Sequence, residues 1–225
     1  MTSRRHPLDN PALFSLAGAH AGLAERRGRA AVYPPDVSPF AGIPAAPVAR
    51  DWADLAALVG PDRRALLVGA PQPPDGWRVL GGLPGVQLVD DGAAGAADPE
   101  AVRLGPADVP EMLELVAATR PGPFRERTVE MGTYLGIRRG GALIAMAGQR
   151  LQPAGWVEIS AVCADPAWRG QGLASRLIRA IIADIRDRGG RPMLHTGTDN
   201  DGALRLYTRQ RSTLPCQRSI RRVIR

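Results

Sequence analysis

Lysine is absent from the 225-residue chain, so all 29 of its basic side chains other than histidine are arginine. With alanine, glycine and proline abundant, that bias points to a GC-rich genome and carries no functional information. Cysteine is nearly absent. Cys163 and Cys216, with three scattered histidines, make no spaced metal cluster and no disulfide framework, so no metal is expected. No apolar run approaches the roughly 20 residues that span a bilayer, and the start, MTSRRHPLDNP, lacks the apolar stretch of a secretory signal. A cytoplasmic protein that makes no use of a membrane is the expectation. Acidic residues are missing between Arg209 and Arg225, where six arginines supply most of the net charge of +7. The remainder is nearly balanced, which favours a charged tail or terminal strand over a nucleic-acid groove. What is present, 44% hydrophobic and 23% charged residues, fits a folded globular chain with room for one large domain or two small ones.

The texture changes between residues 93 and 99. Before it lie an apolar patch from Leu13 to Leu23 and the segment YPPDVSPFAGIPAAP, which reads as a loop because proline fixes its own φ and restricts its neighbour. Asp51 caps a short helix through Val59, and RALLVGA and GWRVLGGLPGVQLVDD read as strands punctuated by turns. Asp91 to Glu100, small and polar, needs no packed partner and is the expected boundary. Residues 1–98 are thus read as a smaller N-terminal α/β unit and 99–225 as a second domain.

The second portion is more regular. VRLG predicts a strand, and Asp108 with Glu111 predicts a capping box for a helix over 109–118. Two apolar runs around Gly140 and Gly141 predict an antiparallel hairpin. WVEISAVCADP predicts a strand with Val157, Ile159, Ala161 and Cys163 on one face, and Glu158, Ser160 and Val162 on the other. Leu173, Leu177, Ile178, Ile181, Ile182 and Ile185 form one helical stripe, stopped by Gly189 and Gly190. PMLHTG then predicts a strand, and DGALRLYTR a short helix. The order describes an α/β sandwich on a mixed sheet.

Between the central strand and the long helix stands Arg169-Gly170-Gln171-Gly172-Leu173-Ala174. Small residues there let a backbone approach a ligand closely, and successive N–H groups at a helix start can receive a diphosphate. The string lacks the third glycine of G-x-G-x-x-G and the Lys-Ser/Thr ending of a P-loop, which disfavours NAD and ATP. By itself it is also compatible with a plain strand-to-helix turn.

AVCADPAWRGQGLASRLI resembles the acetyl-CoA-binding motif of the GCN5-related N-acetyltransferase (GNAT) superfamily, and TDNDGALRLYTR resembles that family's later segment. The resemblance covers about Val102 to Thr208; residues 1–98 more loosely resemble the extensions or degenerate acetyltransferase-like halves of some two-part members. It implies a central sheet splayed at Val162 and Cys163, whose backbone meets the pantetheine arm of acetyl-CoA. It implies a diphosphate held by N–H groups from Gln171 to Ala174, with Gly170 in the turn, Arg169 shaping that turn or contacting phosphate, and Asn200 lining the channel. The implied chemistry is direct attack of a neutral amine on the thioester, with Tyr207 protonating the departing thiolate.

Glu158, on a strand approaching the acceptor channel, is a candidate base acting directly or through water, against an ordinary hydrogen-bonded carboxylate. Ser160 shares its face and can position a water; His195 reads as a satisfied internal histidine and Cys163 as a buried small side chain. The tail TRQRSTLPCQRSIRRVIR departs from the family. The Gly-Phe turn is missing, and Pro215 would interrupt a central strand. The leading reading is N-acetyltransfer to an unidentified small-molecule or peptide amine. The alternatives are a catalytically silent acyl-CoA-binding module and an arginine-tail RNA binder, with the N-terminal half closing a channel or mediating homodimerisation.

Overall fold

The structure is a computed structural model that describes residues 6–61, 63–69, 72–90, 92–200, 204 and 212–224, with backbone alone at 83, 84 and 212–222. The first portion contains helices α1 (Pro11–Ala17) and α2 (Ala49–Val59) and strands β1 (Glu25–Arg27), β2 (Ala30–Val32), β3 (Phe40–Gly42), β4 (Ala65–Val68) and β5 (Arg78–Asp90). The second contains β6 (Val102–Leu104), α3 (Val109–Thr119), β7 (Tyr134–Arg139), β8 (Ala142–Gln149), β9 (Trp156–Ala164), α4 (Leu173–Asp187), β10 (Arg191–Gly197) and β11 (Ser212–Ile224). Across the molecule the strands run β1-β2-β3-β4-β11-β5-β10-β9-β8-β7-β6. Strands of the two portions therefore interleave, with β5 between β10 and β11, antiparallel to both.

The amphipathic stripe of α4 is the strongest organiser. Leu173, Leu177, Ile178, Ile181, Ile182 and Ile185 are all buried against Ile137, Ala145, Ile159, Leu88 and Leu194. Gly189, at φ 75°, supplies the left-handed residue that lets the chain turn back into β10. On the opposite face, α3 packs Met112 and Leu115 on Tyr134, Met146, Ala161 and Cys163. A third cluster joins the portions: Leu8, Leu16, Tyr33, Val37 and Phe40 meet Met131, Leu151, Trp156 and Met193.

Several local expectations are corrected. β3 forms inside the proline-rich segment, since Phe40 and Ala41 pair with β4 between prolines that lie outside the ladder. The α2 helix begins at Ala49, two residues before Asp51; Asp51 instead accepts from Val48 N–H at 2.7 Å and binds Arg29. Asp108 does not cap α3 with its side chain: it accepts from Gly105 N–H at 2.8 Å and from Arg138, which also takes Glu111. The stretch 92–100 is packed rather than partnerless, because small residues allow close approach: Ala93 is buried, Gly95 abuts Ala183 and Ile182, and Asp98 pairs with Arg176 at 2.6 Å. The preceding β5 runs through Gly81, Gly82 and Pro84 as a single strand, held by pairing along its length to β11.

Within the arginine-rich tail, Ser212–Ile224 is a strand. Its register on β5 shifts between Thr213 and Cys216, so Pro215 falls in the bulge, where no ladder bond is demanded of it.

Tyr134 on β7 lies directly across from Gly148 on β8, and a Cβ at Gly148 would stand 2.2 Å from the tyrosine ring. Tyr134 is 1% exposed and cannot swing away. Gly148→Ala is therefore expected to cost about 1–3 kcal/mol of stability by overpacking, measured as a lowered urea midpoint with an unchanged m-value.

Candidate active site

β9 and β10 pair in parallel only from Trp156/Arg191 to Glu158/Met193. Beyond that point β10 pairs antiparallel with β5 while β9 stays with β8, so the two strands splay. A cavity of about 360 Å³ fills the gap, lined on one arm by Ile159 to Ala164 and on the other by His195 and Thr196.

A bulge shapes the β9 wall. Three steps along β9, from Ser160 to Cys163, oppose two steps along β8, from Gly148 to Met146, and Ala161 takes φ 52°. The extra residue reverses the alternation. Ile159 and Val162 consequently face the α4 core, whereas Ala161 and Cys163 face α3. The expected single face for Val157, Ile159, Ala161 and Cys163 is thus corrected, and so is the shared face of Glu158 and Val162.

At the other end, Gly170 and Gly172 have φ 79° and 74°, and neither has an atom within 4 Å of where a Cβ would stand. Gly172 is the N-cap of α4 and provides no side-chain cap, which leaves the first N–H groups of the helix for an external acceptor. Arg169 and Ala174 line the cavity here, as does Asn200. An open, uncapped cradle beside an arginine fits the diphosphate of acetyl-CoA.

The floor of the splay is polar and closed. Glu158 is 0% exposed, and both of its oxygens are occupied. Oε2 accepts from Arg150 Nε at 2.9 Å and Leu151 N–H at 3.3 Å; Oε1 accepts from Arg150 Nη2 and lies 2.7 Å from His195 Nδ1. Gln87 Nε2 lies 3.0 Å from Leu8 O and 2.9 Å from His195 Nε2. A carbonyl only accepts, so the Gln87 atom is its nitrogen, and His195 must accept at Nε2 and donate from Nδ1 to Glu158. Burial opposes the charge on Glu158, but Arg150, aided by His195, outweighs it and holds the carboxyl well below the usual carboxylate range.

The predicted site residues distribute unevenly. Val162, Cys163, Arg169, Ala174 and Asn200 line the cavity, and so does Ser160; Gly170, Gln171, Gly172 and Leu173 form the adjoining turn and helix start. Glu158 lies beneath the wall rather than in it, and Tyr207 lies outside the described residues. Burial pushes the Cys163 thiol up to about 11, against opposing hydrogen bonds from Thr119 and Met146, so it stays protonated and inert near neutral pH. Arg150, His195 and Arg120 are lining residues that sequence reasoning did not place there. For Arg120 a signal existed: it follows the last residue of α3, the position where glycine is the usual choice. Among the described residues no group of acidic, histidine or cysteine side chains suits a metal, and no helix is long and apolar enough to cross a membrane.

This splayed sheet with a glycine cradle has close counterparts. The family described as FR47-like protein matches residues 134–210. Over 125 residues, 49% of this chain and 78% of the relative, the sequence is 37% identical to the N-alpha-acetyltransferase RimI of Mycobacterium tuberculosis. A solved structure from Novosphingobium aromaticivorans, described as an acetyltransferase of the GNAT family, matches with a TM-score of 0.89 and 38% identity, over 98% of this chain and 99% of that one. A GCN5-related N-acetyltransferase from Kribbella flavida shares the fold, with a TM-score of 0.60 at 17% identity over 95% of each chain. The chain belongs to the GCN5-related N-acetyltransferase family. Within that family it is an acetyl-CoA-dependent N-acetyltransferase.

Proposed function

We propose that the protein transfers the acetyl group of acetyl-CoA to a primary amine by direct attack. The observation that carries this reading is the cavity running along β9 from the uncapped start of α4 to the splay of β9 from β10. In this reading the N–H groups from Gln171 to Ala174, with Arg169 and Gly170, hold the diphosphate. The β9 backbone at Val162 and Cys163 is released from β10 and meets the pantetheine arm, with Asn200 alongside. Bound acetyl-CoA supplies an electrophilic thioester carbonyl; the chain's part is to align the amine with it and to manage two protons.

Glu158 acts as a positioning residue. Its lone pairs are committed to Arg150, Leu151 and His195, so it fixes the floor instead of taking the amine's proton. That proton passes to water, ordered in this reading by Ser160, a residue of the cavity wall. Tyr207, assigned through the family resemblance, donates to the thiolate. Residues 1–98 act as an extension that completes the floor through Leu8 and Gln87. The relative named as an N-alpha-acetyltransferase favours an α-amine as acceptor. A cytoplasmic location belongs to the same reading.

Titration calorimetry with acetyl-CoA, against NAD and ATP as controls, is the first test, followed by coenzyme A release with a panel of amines. Selective, saturable binding of acetyl-CoA and amine-dependent release are expected. Tyr207→Phe is expected to lower kcat by about 100-fold while the acetyl-CoA Kd stays unchanged. Binding of acetyl-CoA without release for any amine would point to the silent acyl-CoA module, and no binding at all would remove the reading.

A further inference from the structure

Building on the acetyltransferase reading, we infer that the acceptor amine carries a carboxylate and that Arg120 receives it. Among the described residues, the cavity wall contains Arg120, Arg150, Arg169 and His195 but neither aspartate nor glutamate. A site for a polyamine or another polycation needs carboxylates to replace the water lost by each ammonium, and the described residues of this wall offer none. The arginines divide by task. Arg150 is neutralised by Glu158 in a two-point pair at 2.7 and 2.9 Å, and Arg169 stands at the glycine cradle where the diphosphate binds. That leaves Arg120, which is exposed and makes no ion pair or hydrogen bond from its side chain with the described residues.

Arg120 is held at the acceptor end by its neighbours. The preceding Thr119 and the following Pro121 also line the cavity. A Cβ on Gly122 would stand 3.9 Å from Arg150 Nη1, which sets this segment over the polar floor and away from the start of α4. Phe124 anchors the segment edge-on against Tyr134, with ring centroids 5.5 Å apart. Arg120 approaches from the α3 face, whereas Ala174 belongs to α4 on the opposite side of β9. Its backbone is left-handed, φ 50° and ψ 53°, a conformation that strains any residue with a side chain. Arginine in place of the glycine favoured at such a helix end gains nothing within the fold, because its guanidinium meets no protein partner among the described residues. A carboxylate on the acceptor supplies that partner as a two-point, charge-assisted contact.

The test compares dialanine with its C-terminal amide and with putrescine, using coenzyme A release for turnover and calorimetric titration of the CoA-saturated protein for binding. Dialanine is expected to bind at least about tenfold more tightly than the amide and to be the better substrate by a similar factor in kcat/KM, as the loss of a charge-assisted contact requires. The amide's amine is the more readily deprotonated of the two, so amine basicity cannot produce that preference. In Arg120→Gln the preference is expected to vanish with the acetyl-CoA Kd within about twofold; Arg120→Lys should restore part of it. Arg120→Gly, which relieves the backbone strain, serves as a second folded variant and should also lose the preference.

Equal binding of acid and amide, or preference for putrescine, would overturn the inference, with or without turnover. A tenfold rise in acetyl-CoA Kd in Arg120→Gln, with acceptor preference intact, would make Arg120 a contact to the acyl donor and overturn it equally. Failure of the underlying acetyltransferase reading is separately visible as absence of acetyl-CoA binding to the parent protein.

Discussion

Glu158→Gln is expected to destabilise the protein by about 3–5 kcal/mol, the usual cost of breaking a buried ion pair from one side. The amide can still accept hydrogen bonds, but it leaves the Arg150 guanidinium charged and buried, and in either orientation it sets an amide N–H₂ against Arg150 and a second donor, Leu151 N–H or His195. Chemical denaturation at neutral pH measures the loss. The parent protein carries the matching pH signature. The Glu158 carboxyl titrates below the ordinary range when folded, and near about 4 when unfolded. Its contribution is therefore complete above about pH 5 and drains away as pH falls through the unfolded and then the folded value. Stability of the parent should drop more steeply below pH 5 than that of Glu158→Gln, so the two curves converge in acid. Curves that run parallel down to pH 2 would refute a buried, ionised Glu158. If the residual activity per folded molecule is also reduced without a new ionisation in the pH–rate profile, the positioning role is supported; a lost ionisation would restore the carboxylate as the base.

Gly172→Val is expected to weaken acetyl-CoA binding by more than tenfold, with a smaller effect on folding. At φ 74° a β-branched side chain is strained by about 1–2 kcal/mol. The space around a Cβ there is open, so no protein atom needs to move aside. The relief available to the backbone is to leave the left-handed region, and that rotates the N–H groups at the start of α4 away from the diphosphate. Alanine adds less bulk but the same left-handed strain and should fall between the parent and valine. Calorimetric titration of each folded variant decides the matter: unchanged acetyl-CoA affinity in Gly172→Val would remove the cradle from this turn.

Much of this architecture was legible in residue spacing. The stripe from Leu173 to Ile185, the Gly140-Gly141 hairpin and the glycine turn at Arg169 to Ala174 are local patterns, and each is present where its spacing implies. What escaped was non-local. The bulge at Ala161 depends on how β8 and β9 match across the sheet, and an alternating string of residues gives no sign of a reversal. The strand β3 emerges from a proline-rich segment because β2 and β4 supply its ladder. The surroundings of Glu158 come from Arg150, eight positions earlier, and from His195 and Gln87 on other strands, so the carboxylate read alone leaves base and hydrogen-bonded group both open. His195, by contrast, is the satisfied internal histidine that its sequence setting suggested.

The placement of β11 has a consequence for how the molecule is made. β5 has one long neighbour in β10 and another in β11, and β4 meets the rest of the sheet through β11 as well. On a ribosome, everything through Asp90 emerges before either neighbour of β5 exists. Until Ser212 to Ile224 follows, β4 and β5 each present an unpaired edge to solvent, the condition in which strands of different chains join. Closing so distant a pairing is slow. The nascent chain thus carries open strand edges at the centre of its sheet until β11 has been made.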